Sequence, residues 1–249
     1  NQDYDKAKKV LKKFTEEEDF YYWYRLKKEA QIIEKQRNIQ ESLIYITSNF
    51  KKIDNPNKKI LFDIANFYKK SKNYEEAINY YTKIINDLDD SAEIKSDILY
   101  RRGGSYERIK NYEASDKDLQ NALKITPDDA YILNYLAYSW LERDYKIDEA
   151  IDMLKIAYRA KNDDPYIIDS LGWAYYLIDD YLQAEKLLKR AVELMPDDPI
   201  VNDHYGDILW KLDRKIQARY FWKNVLDMND TEEEMIEKIN IKIIQGLNS

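Results

Sequence analysis

Apolar residues along the chain recur at spacings of three and four, the period that places side chains on one face of a helix. One of the clearest segments begins at Asp180 and places Ala184, Leu188 and Ala191 on a single face. A second amphipathic segment lies just upstream of it, with Ile168 and Leu171 in the same spacing. The pattern therefore predicts pairs of helices joined by short connections.

The pairs repeat with a period near thirty-four residues. A small residue marks the same place in five successive pairs, at Ala77, Ser115, Ala150, Ala184 and Ala218. Successive members of this set are 38, 35, 34 and 34 residues apart. Between pairs lie Pro127, Pro165, Pro196 and Pro199, often beside an Asp. Proline stops one helix or opens the next, and the aspartate can accept from free N–H groups in that first turn.

This pattern resembles the tetratricopeptide repeat, whose signature is a large residue, a Leu-Gly/Ala pair, a Tyr, then Ala, an aromatic, Ala and Pro. The resemblance implies an all-α fold, a right-handed α-solenoid (superhelix) of antiparallel helix pairs with a C-terminal capping helix. It divides residues 1–249 into one array with these parts: the second helix of a truncated repeat at 1–18, a weakly matching repeat at 23–57, repeats at 58–95, 96–129, 130–164, 165–198 and 199–232, and the capping helix at 233–248. Because such a chain starts on a lone second helix, we expect the natural protein to continue upstream.

In proteins of this kind, the first helix of each pair lines a concave groove that accepts an extended segment or a helix of a partner. Carrying those positions over to the carboxy half gives the expected groove residues, Asn134, Tyr138, Asp169, Trp173, Tyr176, Asp203, Asp207 and Trp210. The resemblance thus implies a protein–protein interaction scaffold with an unidentified protein or peptide as its partner. The alternative for the same residues is that the rings pack against neighbouring helices and that the carboxylates cap helices, form pairs or face water.

Charge is divided unevenly along the chain. Residues 1–125 carry a net charge of +3 and residues 126–249 a net charge of −10, which together give the formal −7. The acidic half suits an aliphatic or basic peptide. The same total disfavours nucleic acid, because phosphate neutralisation requires basic surface. Self-association as a homo-oligomerising module is the main alternative function, followed by an RNA-binding helical-repeat protein.

Little in the composition indicates catalysis or a cofactor. With 5 Gly and no Cys, the chain has neither a glycine-rich phosphate loop nor thiolate metal ligands. We expect the single histidine, His204, to be a groove or surface residue, and we predict no catalytic, cofactor-binding or metal-binding residues. Asp203 and Asp207 lie one helical turn apart and could hold a divalent ion, but this spacing is common in a chain with 47 acidic residues. No apolar run predicts membrane insertion.

The compartment is left open by the sequence. The segment from Asp169 to Trp173 is similar to units near the C-termini of long bacterial proteins, many of which are exported. A cytoplasmic and an exported (periplasmic) location are both compatible with the residues.

Overall fold

The computed structural model describes residues 4–11, 19–89, 93–229 and 231–247, and the regular structure within these ranges is α-helical. The helices, in chain order, are α1 (Tyr4–Leu11), α2 (Asp19–Gln36), α3 (Ile39–Phe50), α4 (Lys58–Lys70), α5 (Tyr74–Ile85), α6 (Glu93–Arg108), α7 (Tyr112–Ile125), α8 (Ala130–Leu141), α9 (Ile147–Ala160), α10 (Pro165–Leu177), α11 (Tyr181–Leu194), α12 (Pro199–Lys211), α13 (Lys215–Leu226) and α14 (Glu233–Gln245).

The helices form two compact units, an amino-terminal unit of residues 1–126 and a carboxy-terminal unit of residues 127–249. Within each unit, a helix packs most extensively against its neighbour in the chain, as α6 does on α7 and α10 on α11. The predicted all-α fold of helix pairs is confirmed. The single array and its repeat boundaries stay a prediction. Of the helix predicted at 1–18, α1 is seen and the residues on either side of it lie outside the described ranges.

Three helices of the carboxy-terminal unit begin with the aspartate caps that the sequence predicts. The side chains of Asp129, Asp164 and Asp198 each accept hydrogen bonds from two backbone N–H groups in the first turn of α8, α10 and α12. Pro165 and Pro199 follow as the first helical residues, where no N–H donor is required. The caps fix where the first helix of each pair starts.

Small residues let the two helices of a pair approach closely. Ala150, Ala184 and Ala218 have no exposed surface. A Cβ added to Gly172 in α10 would lie 2.8 Å from Leu188 Cγ in α11, and one added to Gly206 in α12 would lie 2.4 Å from Trp222 Nε1 in α13. Burial of large side chains such as Leu188 and Trp222 beside these glycines supplies the core, since each removes apolar area from water.

From the α4–α5 pair onward, the turn inside each pair contains a residue in the left-handed region. This conformation is found at Lys72, Lys110, Asp179 and Asp213, whose φ angles lie between 59° and 62°. The turn after α8, which the sequence shows to be one residue longer, uses two such residues, Asp144 and Lys146. A second left-handed residue accommodates the added length before α9 begins.

The amino-terminal unit is tied together by a buried ion pair. Arg102 of α6 donates from Nε and Nη2 to the two carboxylate oxygens of Asp118 in α7, at 2.6 and 2.8 Å, and from Nη1 to Thr82 Oγ1 in α5, at 2.9 Å. One guanidinium thus joins three helices through a bidentate, charge-assisted contact.

Replacing Gly206 with Ala should destabilise the carboxy-terminal unit, because the added methyl group would overlap the buried Trp222 ring. Overpacking costs about 1–3 kcal/mol, partly offset by roughly 1 kcal/mol of improved helix propensity. The urea denaturation midpoint measures the net loss. Gly103→Ala is the matched control, since its Cβ would meet Leu119 Cγ at 3.0 Å, a milder overlap than that with Trp222, and should leave stability closer to that of the parent. Equal effects of the two substitutions would contradict this explanation.

Candidate functional site

The predicted groove residues lie on three adjacent helices of the carboxy-terminal unit. Helix α10 contacts both α8 and α12, so the three first helices of their pairs lie side by side. The predicted residues occupy the fifth, ninth or twelfth position of these helices, and we call the surface they form the α8–α10–α12 face. Its residues are Asn134 and Tyr138 of α8, Asp169, Trp173 and Tyr176 of α10, and Asp203, Asp207 and Trp210 of α12.

An aromatic stack occupies the centre of this face. The Trp173 ring lies between Tyr176, at a centroid distance of 4.6 Å and an interplanar angle of 8°, and His204, at 4.1 Å and 10°. Tyr138 approaches the same imidazole at 6.3 Å. Both faces of the Trp173 ring thus contact side chains of the unit. Trp173 is partly exposed, as are Tyr138 and Tyr176.

His204 is buried beneath this face, so of the two expected positions, groove or surface, the surface position is wrong. The residue is 5% exposed, and its Nδ1 lies 2.9 Å from Oδ2 of Asp169, which is 4% exposed. Burial alone lowers the pKa of His204, but the charge and hydrogen bond of Asp169, with the charges of Asp203 and Asp207, outweigh it and raise the pKa above 6.5. A buried carboxylate therefore favours the imidazolium form.

Two of the expected groove carboxylates are paired within the chain. Lys242 of α14 donates from Nζ to Asp203 Oδ1 at 2.6 Å and to both oxygens of Asp207 at 2.8 Å. Trp222 Nε1 also donates to Asp207 Oδ1, at 3.0 Å. The expectation of open acidic groups is corrected here, because the ammonium of a helix predicted only to cap the array is hydrogen-bonded to both.

Burial and the adjacent Asp203 carboxylate raise the pKa of Asp207 to about 7, and Lys242 and His204 act in the opposite direction. The Lys242 ammonium lies where a divalent ion would have bound between the two carboxylates. Within the described ranges, no group of three or more His, Asp or Glu residues is placed to hold a metal ion.

Trp210, another of the expected groove residues, also packs against other residues of the chain. Its ring lies 5.4 Å from that of Trp222, and the Arg219 guanidinium lies 4.8 Å from its centroid. A Cβ at Gly246, which has a φ of 78°, would lie 1.9 Å from Trp210 Cζ2, so the chain after α14 passes directly against this ring. The α12 end of the face is thus covered by α14 and the residue that follows it.

A family model for the tetratricopeptide repeat matches residues 59–86 and 96–129. These two segments are therefore similar to tetratricopeptide repeats. A TPR repeat-containing protein of Pseudomonas aeruginosa is 33% identical over 93 residues, which cover 37% of this chain and 16% of that protein. The aligned part is therefore a small fraction of the relative's length.

Solved structures show the same fold at low sequence identity. A tetratricopeptide repeat protein from Parabacteroides merdae has a TM-score of 0.75 at 19% identity, with 95% of this chain and 91% of that chain covered. A chain of the APC/C hetero-tetramer Cut9–Hcn1 has a TM-score of 0.72 at 15% identity, with 91% and 43% covered. Tetratricopeptide repeats are in general protein–protein interaction modules. Among the described residues, no helix has the length and apolar character needed to cross a membrane.

The single histidine of the chain gives a direct test of the Asp169 pair. We expect the NMR titration midpoint of His204 to lie above 6.5, and Asp169→Asn to lower it. Because the folded pKa is raised, the stabilisation from this pair is fully present below pH 6.5 and is lost as the pH rises through the folded pKa. Asp152→Asn, at an exposed carboxylate of α9, is the control and should leave the midpoint unchanged. A midpoint at or below 6.5 in the parent protein would refute the pairing.

Proposed function

We propose that the chain is a protein-interaction scaffold whose α8–α10–α12 face binds a peptide or helix of a partner protein. The family supports the general activity, since tetratricopeptide repeats bind protein partners. Placement on this face is supported by the row of polar and aromatic side chains that α8, α10 and α12 present together. The proposal gives no catalytic role to His204, which is enclosed by Asp169 and Trp173.

The observation that carries the proposal is the docking of α14. This helix places Lys242 against Asp203 and Asp207 and brings Gly246 against Trp210. One end of the face therefore already receives a helical segment through a basic side chain and through contact with an aromatic ring. A partner segment of similar chemistry can lie on the neighbouring part of the face, where Tyr138 and Tyr176 are partly exposed.

The chemistry of the face favours an aliphatic or basic segment. Tyrosine rings supply large apolar contact area and one polar group each, a combination common at binding hot spots. Burial is the main cause that raises the pKa of Tyr138 and of Tyr176, and nearby carboxylates act in the same direction. Both hydroxyls therefore stay neutral and can donate hydrogen bonds at physiological pH.

Site-specific photocrosslinking tests where a partner binds. A photoreactive phenylalanine analogue at position 138 or 176 should form adducts with the same partner protein in cells that produce the natural protein. Position 220 is the matched control, because Tyr220 is an exposed tyrosine of α13, the second helix of its pair. These replacements keep an aromatic side chain, so loss of folding is not expected to mask the result.

Mass spectrometry of the adducts distinguishes the outcomes. A shared partner at positions 138 and 176 that is absent at 220 supports the proposed face. Adducts with twice the chain mass would identify self-association instead. Adducts confined to position 220 would place binding on the other helices and refute the proposal.

A further inference from the structure

The fifth residues of α8, α10 and α12 form a row of side-chain oxygens, consisting of Asn134, Asp169 and Asp203. Asp203 receives the Lys242 ammonium at 2.6 Å. The other two members of the row each have an oxygen that is buried and accepts no hydrogen bond from the described residues, Asn134 Oδ1 and Asp169 Oδ1. Asp203, at the α12 end of the row, therefore has a hydrogen-bond donor, whereas these oxygens of Asn134 and Asp169 have none among the described residues.

The missing donor at Asp169 is energetically significant. The residue is only 4% exposed, and its second oxygen already accepts from His204. A buried acceptor without a donor is destabilising, and more so when it carries a charge. Buried polar groups normally have a hydrogen-bond partner, so the donor for this oxygen must come from outside the described residues.

The charge around the row favours a cation. Asp169 and Asp203 carry negative charge against the single positive charge of Lys242, and Asp207, whose pKa is raised to about 7, adds a further negative charge when it is ionised. Negative charge therefore exceeds positive charge around the row while His204 is neutral. Tyr138 lies beside the row, and its ring can contribute a cation–π contact.

We propose that Asn134 Oδ1 and Asp169 Oδ1 bind the ammonium or guanidinium group of a lysine or arginine side chain of the partner protein. The inference rests on the proposed function and names the group that this part of the face recognises. Lys242 gives an example of such a contact within the chain. Its ammonium binds Asp203, which occupies in α12 the position that Asp169 occupies in α10. Both oxygens are covered in the unbound chain, so binding requires a neighbouring side chain to move as the cation enters.

A peptide selection on the full-length chain tests this even while the natural partner is unidentified. A display library of random 12-residue peptides is selected on the parent protein, and recovered peptides are synthesised for affinity measurements. We expect the peptides that bind the α8–α10–α12 face to share a Lys or Arg. Asp169→Asn should weaken their binding by about tenfold or more, as expected for loss of a charge-assisted hydrogen bond. Asp152→Asn, the exposed control in α9, should leave the affinity unchanged.

A change in the peptide gives a readout that does not depend on how Asp169→Asn folds. Replacing the shared basic residue with norleucine should cause a similar loss on the parent protein. When the Asp169→Asn protein is combined with the norleucine peptide, the loss of affinity should be no larger than either single loss. Both changes remove the same contact. His204 should also report binding, with a lower NMR titration midpoint when the added cation neutralises Asp169.

The outcomes that would contradict the cation site differ from those that would contradict the proposed function. Peptides that lose affinity on Tyr176→Ala but tolerate norleucine, or that contain no basic residue, would overturn the cation site and leave the proposed face intact. Unchanged affinity on a folded Asp169→Asn variant would assign Asp169 Oδ1 to water and also overturn the cation site. Recovery of no peptide that depends on Tyr138 or Tyr176 would count against the proposed function itself.

Discussion

The close approach of two helices within each pair is the constraint on which the structure depends. At the crossing point only a small side chain fits, and a large side chain of the second helix lies against it. In the last full pair this arrangement reaches the candidate site, because Trp222 packs against Gly206 and donates its indole N–H to Asp207. The packing that joins α12 to α13 therefore also orients a carboxylate toward Lys242.

On the α8–α10–α12 face, some polar groups have a hydrogen-bond or ion-pair partner among the described residues and others do not. At the α12 end, Lys242 forms ion pairs with two carboxylates. In the middle, Trp173 and His204 are stacked and Asp169 holds the imidazole. Toward α8, acceptor oxygens remain without donors while Tyr138 is partly exposed. Polar groups at the α12 end thus have partners within the chain, and some toward α8 lack them. This difference indicates that the α8 side of the face is the part available to a partner.

Much of the fold could be predicted because its determinants are local in sequence. The spacing of Ala184 and Leu188 places both residues on one helical face, and Asp164 before Pro165 marks a helix start; both features are present in the structure. The left-handed residues of the turns were not predictable in the same way, because Asp179 occupies a conformation usually assigned to glycine or asparagine.

The contacts of the candidate site were less predictable, because they join residues far apart in the chain. Asp207 and Lys242 are separated by 35 positions, and His204 and Asp169 by the same number. Helical periodicity places each residue on a face of its own helix but does not determine which charged group lies opposite. The burial of His204 also depends on Trp173 and Tyr138, which come from two other helices.

The most direct test is a crystal structure of the full-length chain with a partner segment identified by crosslinking. The segment should lie across α8 and α10, with a lysine or arginine nitrogen at about 2.7–3.2 Å from Asp169 Oδ1. Lys242 should remain paired with Asp203 and Asp207. A segment bound along α9, α11 and α13, with Asp169 Oδ1 still lacking a protein donor, would contradict both the binding face and the cation site.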